Sequence, residues 1–448
     1  MKTIEIIVVS ILALVLLEKL IAKSSRRKKI LHIGLIIGLI IHATLDGIRW
    51  QMTPVYLLSI ILITLFFFKV RITRTWIKVL SGTLSLLLLT IGILLSHMIP
   101  VFELPKITGS YFVGTKNQTL KATANELGII NVKYWYPINK IGHKQDQYSK
   151  KPMKDLNGLM GMPGIVFSHL RLVKTGAYEV RTDMASEKKF PLVIYAHGTA
   201  SANIDNTALL QEIASHGYIA VAIDFGFSFD RYGLSLEQAS TLTSDAQKEF
   251  IAQLLDKVVP IQVDYISFTV EYLKKEQSKI TQNIDFSKVI LLGHSLGGTT
   301  CSSLRSDKFK PSAIINIDGP LTYNSISEIN VPFLYISSYS PDLSDEELIA
   351  KGLPDATLYR DVKNYELETI SRFFKNQSTN KHWVRFMNAG HIDFTDIPYI
   401  IPQMTTKGYD KETGHKLKSK VILNFINHYL NLEGTFKKQK DKNLDWLN

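Results

Sequence analysis

Val289-Ile290-Leu291-Leu292-Gly293-His294-Ser295-Leu296-Gly297-Gly298-Thr299-Thr300-Cys301 is the stretch on which the reading of this chain turns. An apolar run gives way within three residues to a series of small residues, which reads as a buried strand, a sharp turn and a helix. Ser295 stands on the turn. A serine there is held in strained backbone geometry, with its hydroxyl at the carboxyl end of the sheet, where a nucleophile has to be. Gly293 and Gly297, two residues to either side, let the helix pass close to the strand. Gly-x-Ser-x-Gly by itself also describes a chemically idle turn, so the rest of the chain has to supply partners.

Outward from this unit, strand and helix patterns alternate. Pro191–Ala196 reads as a buried strand ending at His197-Gly198, followed by a helix over Asp205–Ala214 and a strand over Tyr218–Ile223. A helix over Ile261–Lys275 leads into the strand before Ser295, and strands at Ser312–Ile317, Pro332–Ser337 and Trp383–Met387 follow. Lys418–Tyr429 closes the pattern with Val421, Ile422, Phe425 and Ile426 on one helical face. Short apolar strands separated by helices imply an α/β class: a mostly parallel central sheet covered by helices on both faces. That domain is expected over 102–435, with 436–448 as a polar tail that frays. The lone cysteine, Cys301, excludes an intramolecular disulfide and reads as packing in the helix behind Ser295.

Residues 1–101 are a different material. Apolar runs occupy about Ile6–Leu20, Ile30–Ala43, Val55–Phe68 and Ile77–Val101, and crossing a bilayer takes roughly 20 mostly apolar residues. Four membrane-spanning helices are expected, although Glu5 and Glu18 weaken the first. Lys23, Arg26, Arg27, Lys28 and Lys29 lie between runs one and two, and Lys69, Arg71, Arg74 and Lys78 between runs three and four. Positive charge collects on the cytoplasmic side, so a multi-pass cell-membrane protein with an extracytoplasmic domain is expected. Residues 1–100 hold 12 Lys and Arg against 3 Asp and Glu, a net of +9 out of the chain's +12. The basicity therefore belongs to the anchor. It argues for a lipid bilayer as partner and against nucleic acid.

A serine hydroxyl becomes a nucleophile when a histidine takes its proton and a carboxylate orients that histidine. With a serine on such an elbow, acid and base follow in the order Ser, acid, His. Of the four later histidines, His391 sits just past the last strand, at the sheet edge that carries Ser295. His382 is expected at the opposite end, and His415 and His428 on the closing helix and its approach. For the acid, Asp318 and Asp342 each follow a strand and stand even by position; Asp393, Asp396 and Asp224 are less well placed. An oxyanion needs backbone N–H donors, for which Leu296, next to the serine, and Thr199, in the loop after Pro191–Ala196, are candidates. His197 reads as a residue that shapes that loop. No metal-ligand cluster and no dinucleotide turn is found, and neither a metal nor another cofactor is expected.

Taken together the residues resemble the platelet-activating factor acetylhydrolase family of serine esterases, plasma and type II. The resemblance rests on Thr108-Gly-Ser-Tyr-Phe-Val-Gly-Thr115, Val132-Lys-Tyr-Trp-Tyr-Pro137, Phe190-Pro-Leu-Val-Ile-Tyr-Ala-His-Gly198, Ala214-Ser-His-Gly-Tyr-Ile-Ala-Val-Ala222, Gly293-His-Ser-Leu-Gly-Gly298 and His391-Ile-Asp-Phe-Thr-Asp396. It spans most of 104–430 and implies an α/β-hydrolase fold. It implies Ser295 as nucleophile, His391 as base and Asp318 rather than Asp342 as acid, with Leu296 and Thr199 as oxyanion donors. It also implies phospholipids with a short or oxidised acyl group, and small esters, as substrates. A broad membrane-tethered carboxylesterase or amidase is the alternative within enzymes, and a non-enzymatic membrane scaffold the alternative outside them. The four-span anchor and Thr199, where a larger apolar residue is implied, depart from the pattern. Leu156–Leu172, with Leu159, Met160, Met162, Ile165, Val166, Phe167 and Leu170, is a candidate cap over the site.

Overall fold

The computed structural model describes residues 2–21, 25–70, 72–122, 127–142, 144–149, 164–179, 184, 188–199, 201–226, 253–321, 329–339, 356–375, 380–431 and 436–447. Asp342 and the cap residues Leu159, Met160 and Met162 lie outside them.

The chain begins with four helices, α1 (Thr3–Ile21), α2 (Ser25–Leu45), α3 (Thr53–Phe67) and α4 (Thr75–Met98). They run as antiparallel hairpins: Val8 of α1 lies against Gly38 of α2, and Val55 of α3 against Gly92 of α4. Among the described residues three segments are long and apolar enough to cross a membrane, Arg26–Leu45, Trp50–Phe67 and Thr75–Met98. α1 falls short of that measure, since it carries Glu5, Glu18 and Lys19 within its 19 residues. It is nevertheless part of the bundle, where Val8, Leu12 and Val15 pack in one core with Leu35, Met52, Val55 and Leu89. Glu5 is not a stray charge. Its carboxylate accepts from Arg49 Nη2 at 2.6 Å, both side chains are buried, and Arg49 Nη1 donates to Ile99 O at 3.0 Å. That pair ties the start of α1, the α2–α3 turn and the end of α4 together, at the end of the bundle away from the two basic linkers.

The domain is built on one sheet of eleven strands: β1 (Phe112–Ala122), β2 (Gly128–Ile138), β3 (Lys144–Gln147), β4 (Lys174–Glu179), β5 (Phe190–Ala196), β6 (Ile219–Asp224), β7 (Ile284–His294), β8 (Ala313–Ile317), β9 (Phe333–Ser338), β10 (Lys381–Phe386) and β11 (Leu444–Trp446). Their spatial order is β11-β10-β9-β8-β7-β5-β6-β2-β1-β4-β3. The six strands from β10 to β6 are parallel, and β2 joins β6 antiparallel. Helices α5 (Thr207–Ser215), α6 (Val259–Lys275), α7 (Leu296–Ser303), α8 (Ala356–Lys375) and α9 (Lys411–Asn431) cover the faces. Alternation along each strand divides the core in two. Leu192, Ile194 and Leu291 pack with α6 on one side, and Val193, Leu292, Ile315, Phe425 and Ile426 on the other. Cys301 is fully buried in the first core, and burial pushes its thiol well up, as suits a packing residue.

The polar tail does not fray as expected. Leu444–Trp446 adds an antiparallel edge strand to β10, with Trp446 opposite Val384, and Trp446 Nε1 donates to Gln439 O at 2.9 Å. Two apolar side chains among lysines suffice, because Leu444 and Trp446 reach the core beside α9.

Candidate active site

β7 delivers Ser295 to the carboxyl edge of the sheet. Ser295 N–H donates to Ile317 O of β8 at 2.9 Å, and Ser295 O receives Thr299 N–H to start α7. To make both bonds the serine takes φ +56°, a left-handed conformation rare for a residue with a side chain. Any side chain at Gly297 would run into the carbonyl of Ala196, so the helix can pass the end of β5 only with glycine there.

Asp318 follows the end of β8 and is also left-handed, with φ +54°. Its N–H donates to Ile336 O at 2.7 Å, and the buried Asn316 accepts from Gly319 N–H at 2.7 Å, so the turn is pinned on both sides. Asp318 Oδ1 accepts from Ser338 N–H at 2.7 Å, and Oδ2 lies 2.8 Å from His391 Nδ1. The other nitrogen of that ring, Nε2, lies 3.0 Å from Ser295 Oγ. A carboxylate accepts only, so Nδ1 carries the proton and Nε2 is left to accept from the serine. Burial would raise the Asp318 pKa, but the His391 ring and the Ser338 N–H favour the charged form more, and the carboxyl ends below its ordinary value. Asp318 is 11% exposed and His391 48%, so the orienting end of the array is dry and the working end is open.

Two further histidines shape the site without joining this line. His294 Nε2–H donates to His391 O at 3.0 Å, which holds the backbone that presents the His391 ring. Burial and the neighbouring His391 push the His294 pKa down and keep it neutral. His197 donates from Nδ1 to Gly198 O at 2.8 Å and accepts Phe225 N–H on Nε2 at 3.2 Å. It thereby shapes the turn as its sequence suggests. That turn lies against the serine: a Cβ on Gly198 would be 2.9 Å from Ser295 Cβ. Thr199, next along, is half-buried, and Leu296 N–H, as the first of α7, has no carbonyl one turn back to bond.

The other candidates fall elsewhere. His382 lies inside β10 and shares a hydrogen bond with Tyr429 OH at 2.6 Å, while His415 and His428 are on α9. Asp224 binds Gly226 N–H, and Asp393 binds Gly390 N–H. Of the candidate cap, Gly164–Leu172 is described. It forms 3₁₀ turns whose Phe167 and Leu170 are buried against Phe102, Tyr148 and Tyr399. This half is core between domain and anchor.

Sequence reasoning missed a buried polar cluster behind the array. Asp205 accepts from Tyr195 OH and Ser201 OH, both at 2.6 Å. Asp396 accepts from Tyr148 OH at 3.1 Å and Ala208 N–H at 3.2 Å, and its own N–H donates to Asp205 O at 2.7 Å. Lys418 Nζ of α9 donates to Asn206 Oδ1 at 2.9 Å and to Phe394 O at 2.5 Å. Burial raises both carboxyls and lowers the ammonium. The cluster fastens the loop after β5 to the loop after β10, the two that carry Thr199 and His391. Polar residues scattered over 148–418 give no local pattern by which to find it.

A mostly parallel sheet with a serine elbow after one strand and a histidine after another is the architecture of the α/β-hydrolases. Within that class, the family model described as platelet-activating factor acetylhydrolase, isoform II, matches residues 98–228 and 246–446, and the chain belongs to that family. It is 22% identical over 369 residues to a platelet-activating factor acetylhydrolase of Cavia porcellus, covering 74% of this chain and 79% of that protein. It is 22% identical over 298 residues to the one from Canis lupus familiaris, covering 56% and 66%. Among solved structures, a ferulic acid esterase from Streptomyces cinnamoneus superposes with a TM-score of 0.55 at 19% identity, covering 78% of this chain and all of that one. That likeness speaks for the fold alone. The match begins at residue 98, so the anchor lies outside it. Membership makes the chain a serine-esterase-family hydrolase, and the membrane-length helices ahead of the match make its N-terminal region membrane-associated.

Proposed function

We propose that the protein hydrolyses carboxylic esters through an acyl-enzyme on Ser295, with His391 as general base and Asp318 as the orienting acid. The observation that carries this reading is the continuous line from Asp318 Oδ2 to His391 at 2.8 Å and from His391 to Ser295 Oγ at 3.0 Å. The serine proton passes to Nε2 as Oγ bonds the ester carbon, and the imidazolium is stabilised by Asp318. Leu296 and Thr199 N–H groups receive the oxyanion. Collapse expels the alcohol, which takes the proton from Nε2. Water then repeats the sequence on the acyl-enzyme and releases the acid.

The substrates proposed are phospholipids with a short or oxidised acyl group, after the relatives' name, together with small esters. The domain is proposed to lie outside the cytoplasm. This is supported by Glu5, Arg49 and Ile99 meeting at the bundle end that carries the domain, while both basic linkers lie at the other.

A fluorophosphonate should label the full chain, and Ser295→Ala should abolish labelling and hydrolysis of p-nitrophenyl acetate. Undiminished turnover by the folded variant would remove the assignment. Rates on p-nitrophenyl acetate, p-nitrophenyl octanoate and a short-acyl phosphatidylcholine decide the substrate class. Turnover of the aryl esters with none of the phospholipid would favour a broad carboxylesterase.

A further inference from the structure

The anchor does not merely tether the domain; it is seated on it. At the α2–α3 turn, Trp50 Nε1–H donates to Val166 O at 3.2 Å, and Arg171 Nη2 donates to Ile48 O at 3.3 Å. Gly47, at φ +82°, approaches Leu172 so closely that a Cβ would lie 2.6 Å from its Cδ2. The exit from α4 makes the second contact. Phe102, four residues beyond Met98, packs its ring 5.7 Å from that of Tyr148 and 6.2 Å from that of Tyr399. A tryptophan and chain exits of this kind mark the level of the lipid headgroups.

The surface they touch is the catalytic edge. Tyr399, Ile400 and Ile401 continue the loop after β10 that carries His391, and Ala202 and Ile204, packed on the same cluster, continue the loop after β5 that carries Thr199. Tyr148 OH reaches Asp396, five residues from His391, at 3.1 Å. Few large apolar side chains of the described domain face outward, and three of these lie on this side: Ile165 at 62% exposure, Met404 at 38% and Tyr339 at 39%. Tyr339 N–H donates to Ala389 O, two residues before His391.

We infer that the domain sits with the Ser295–His391 edge turned to the bilayer, so that the ester is drawn from the adjoining lipid leaflet and not from bulk water. The inference rests on the proposed esterase reading and adds the source of the substrate to it. A soluble ester reaches the site from either side, whereas a lipid has to leave the leaflet. An edge already at the headgroups shortens that path and spares the acyl chain exposure to water.

The test uses the full chain in phosphatidylcholine nanodiscs. Ser295 is labelled with a dansyl fluorophosphonate on a short linker, and lipids spin-labelled at the headgroup or at the chain end are introduced. Headgroup-labelled lipid should quench the dansyl strongly and chain-end label much less. Emission equal to that with unlabelled lipid overturns the inference, while failure of Ser295 to label overturns the esterase reading instead. Release of the seat gives a second, kinetic readout. Trp50→Ala combined with a ten-residue Gly/Ser insertion between Pro100 and Val101 should lower kcat/KM for a bilayer-embedded short-acyl phosphatidylcholine at least about tenfold and leave p-nitrophenyl acetate within about twofold, because a slack linker dilutes the site away from the leaflet. Equal changes for both substrates overturn it.

Discussion

In the anchor, Ile37, Ile60 and Leu86 turn more than half of their surface outward while Glu5 and Arg49 are hidden; in the domain, Ile194, Leu291 and Ile315 are fully buried while Lys416, Lys420 and Lys438 face out. The inversion follows from what surrounds each half. Apolar burial drives packing where the outside is water, and lends little where the outside is hydrocarbon. Yet both halves also bury charge. The anchor pairs Glu5 with Arg49, capped by the Ile99 carbonyl; the domain buries Asp205, Asp396 and Lys418 among hydroxyls and backbone groups and, elsewhere, pairs Lys133 with Asp146. Charge, then, is what locks the geometry at the two ends of the route from bilayer to Ser295.

If chemistry belongs wholly to the water-solvated half, the largest effect should come from Asp318→Asn, about 10³–10⁴-fold in kcat on p-nitrophenyl acetate with little change in thermal midpoint. A loss below tenfold would mean that another carboxylate orients His391, and Asp342→Asn is the variant to compare.

Next come the hidden charges. Lys418→Met leaves Asp205 and Asp396 facing each other without a cation, and Arg49→Met leaves Glu5 alone; each should cost about 3–5 kcal/mol. Thermal unfolding of the two variants in the same detergent separates the halves: Lys418→Met should lower the midpoint of the catalytic domain, Arg49→Met that of the bundle. Restoring balance with Asp396→Asn or Glu5→Gln should recover part of each loss. No recovery would show that packing, not charge, is at stake.

A smaller effect concerns pH. Asp396 is raised by burial, so the folded state holds its proton more tightly than the unfolded chain does. Its contribution to stability is present below the ordinary carboxylate value of about 4 and is lost as pH climbs through the raised one. Asp318 is depressed, so its contribution is present above about pH 4 and lost as pH falls through the lowered value. Midpoints measured from pH 5 to 8 should decline less steeply in Asp396→Asn than in wild type. Parallel curves would remove Asp396 from the account.

The smallest effect is expected at the rim of the sheet. Ending the chain at Phe436 removes β11 and the cover that Trp446 gives, for a loss of about 1.5–3 kcal/mol, with kcat per labelled serine unchanged. An unchanged midpoint would return 437–448 to the status of a loose tail.

Much of this was legible in the order of residues. The strand–turn–helix around Ser295, the parallel strands to either side and the position of His391 after the last of them follow from apolar periodicity and glycine spacing, which are local. The apolar runs of the anchor are equally local. What only the tertiary structure decided involves partners distant in the chain. Asp318 lies 2.8 Å from His391, 73 residues on in the sequence, because β8 and β10 end side by side across β9. Glu5, which counts against a membrane helix when read alone, is satisfied by Arg49, 44 residues on. Leu444 and Trp446 look like a fraying tail until β10 offers an edge to pair with. The contact of the anchor with the domain belongs here too, since Trp50 and Val166 are 116 residues apart and nothing local to either brings them together. Local chemistry is set by neighbours in sequence; the partner of a histidine, a buried charge or an unpaired strand edge is set by whatever the fold brings within a few ångströms.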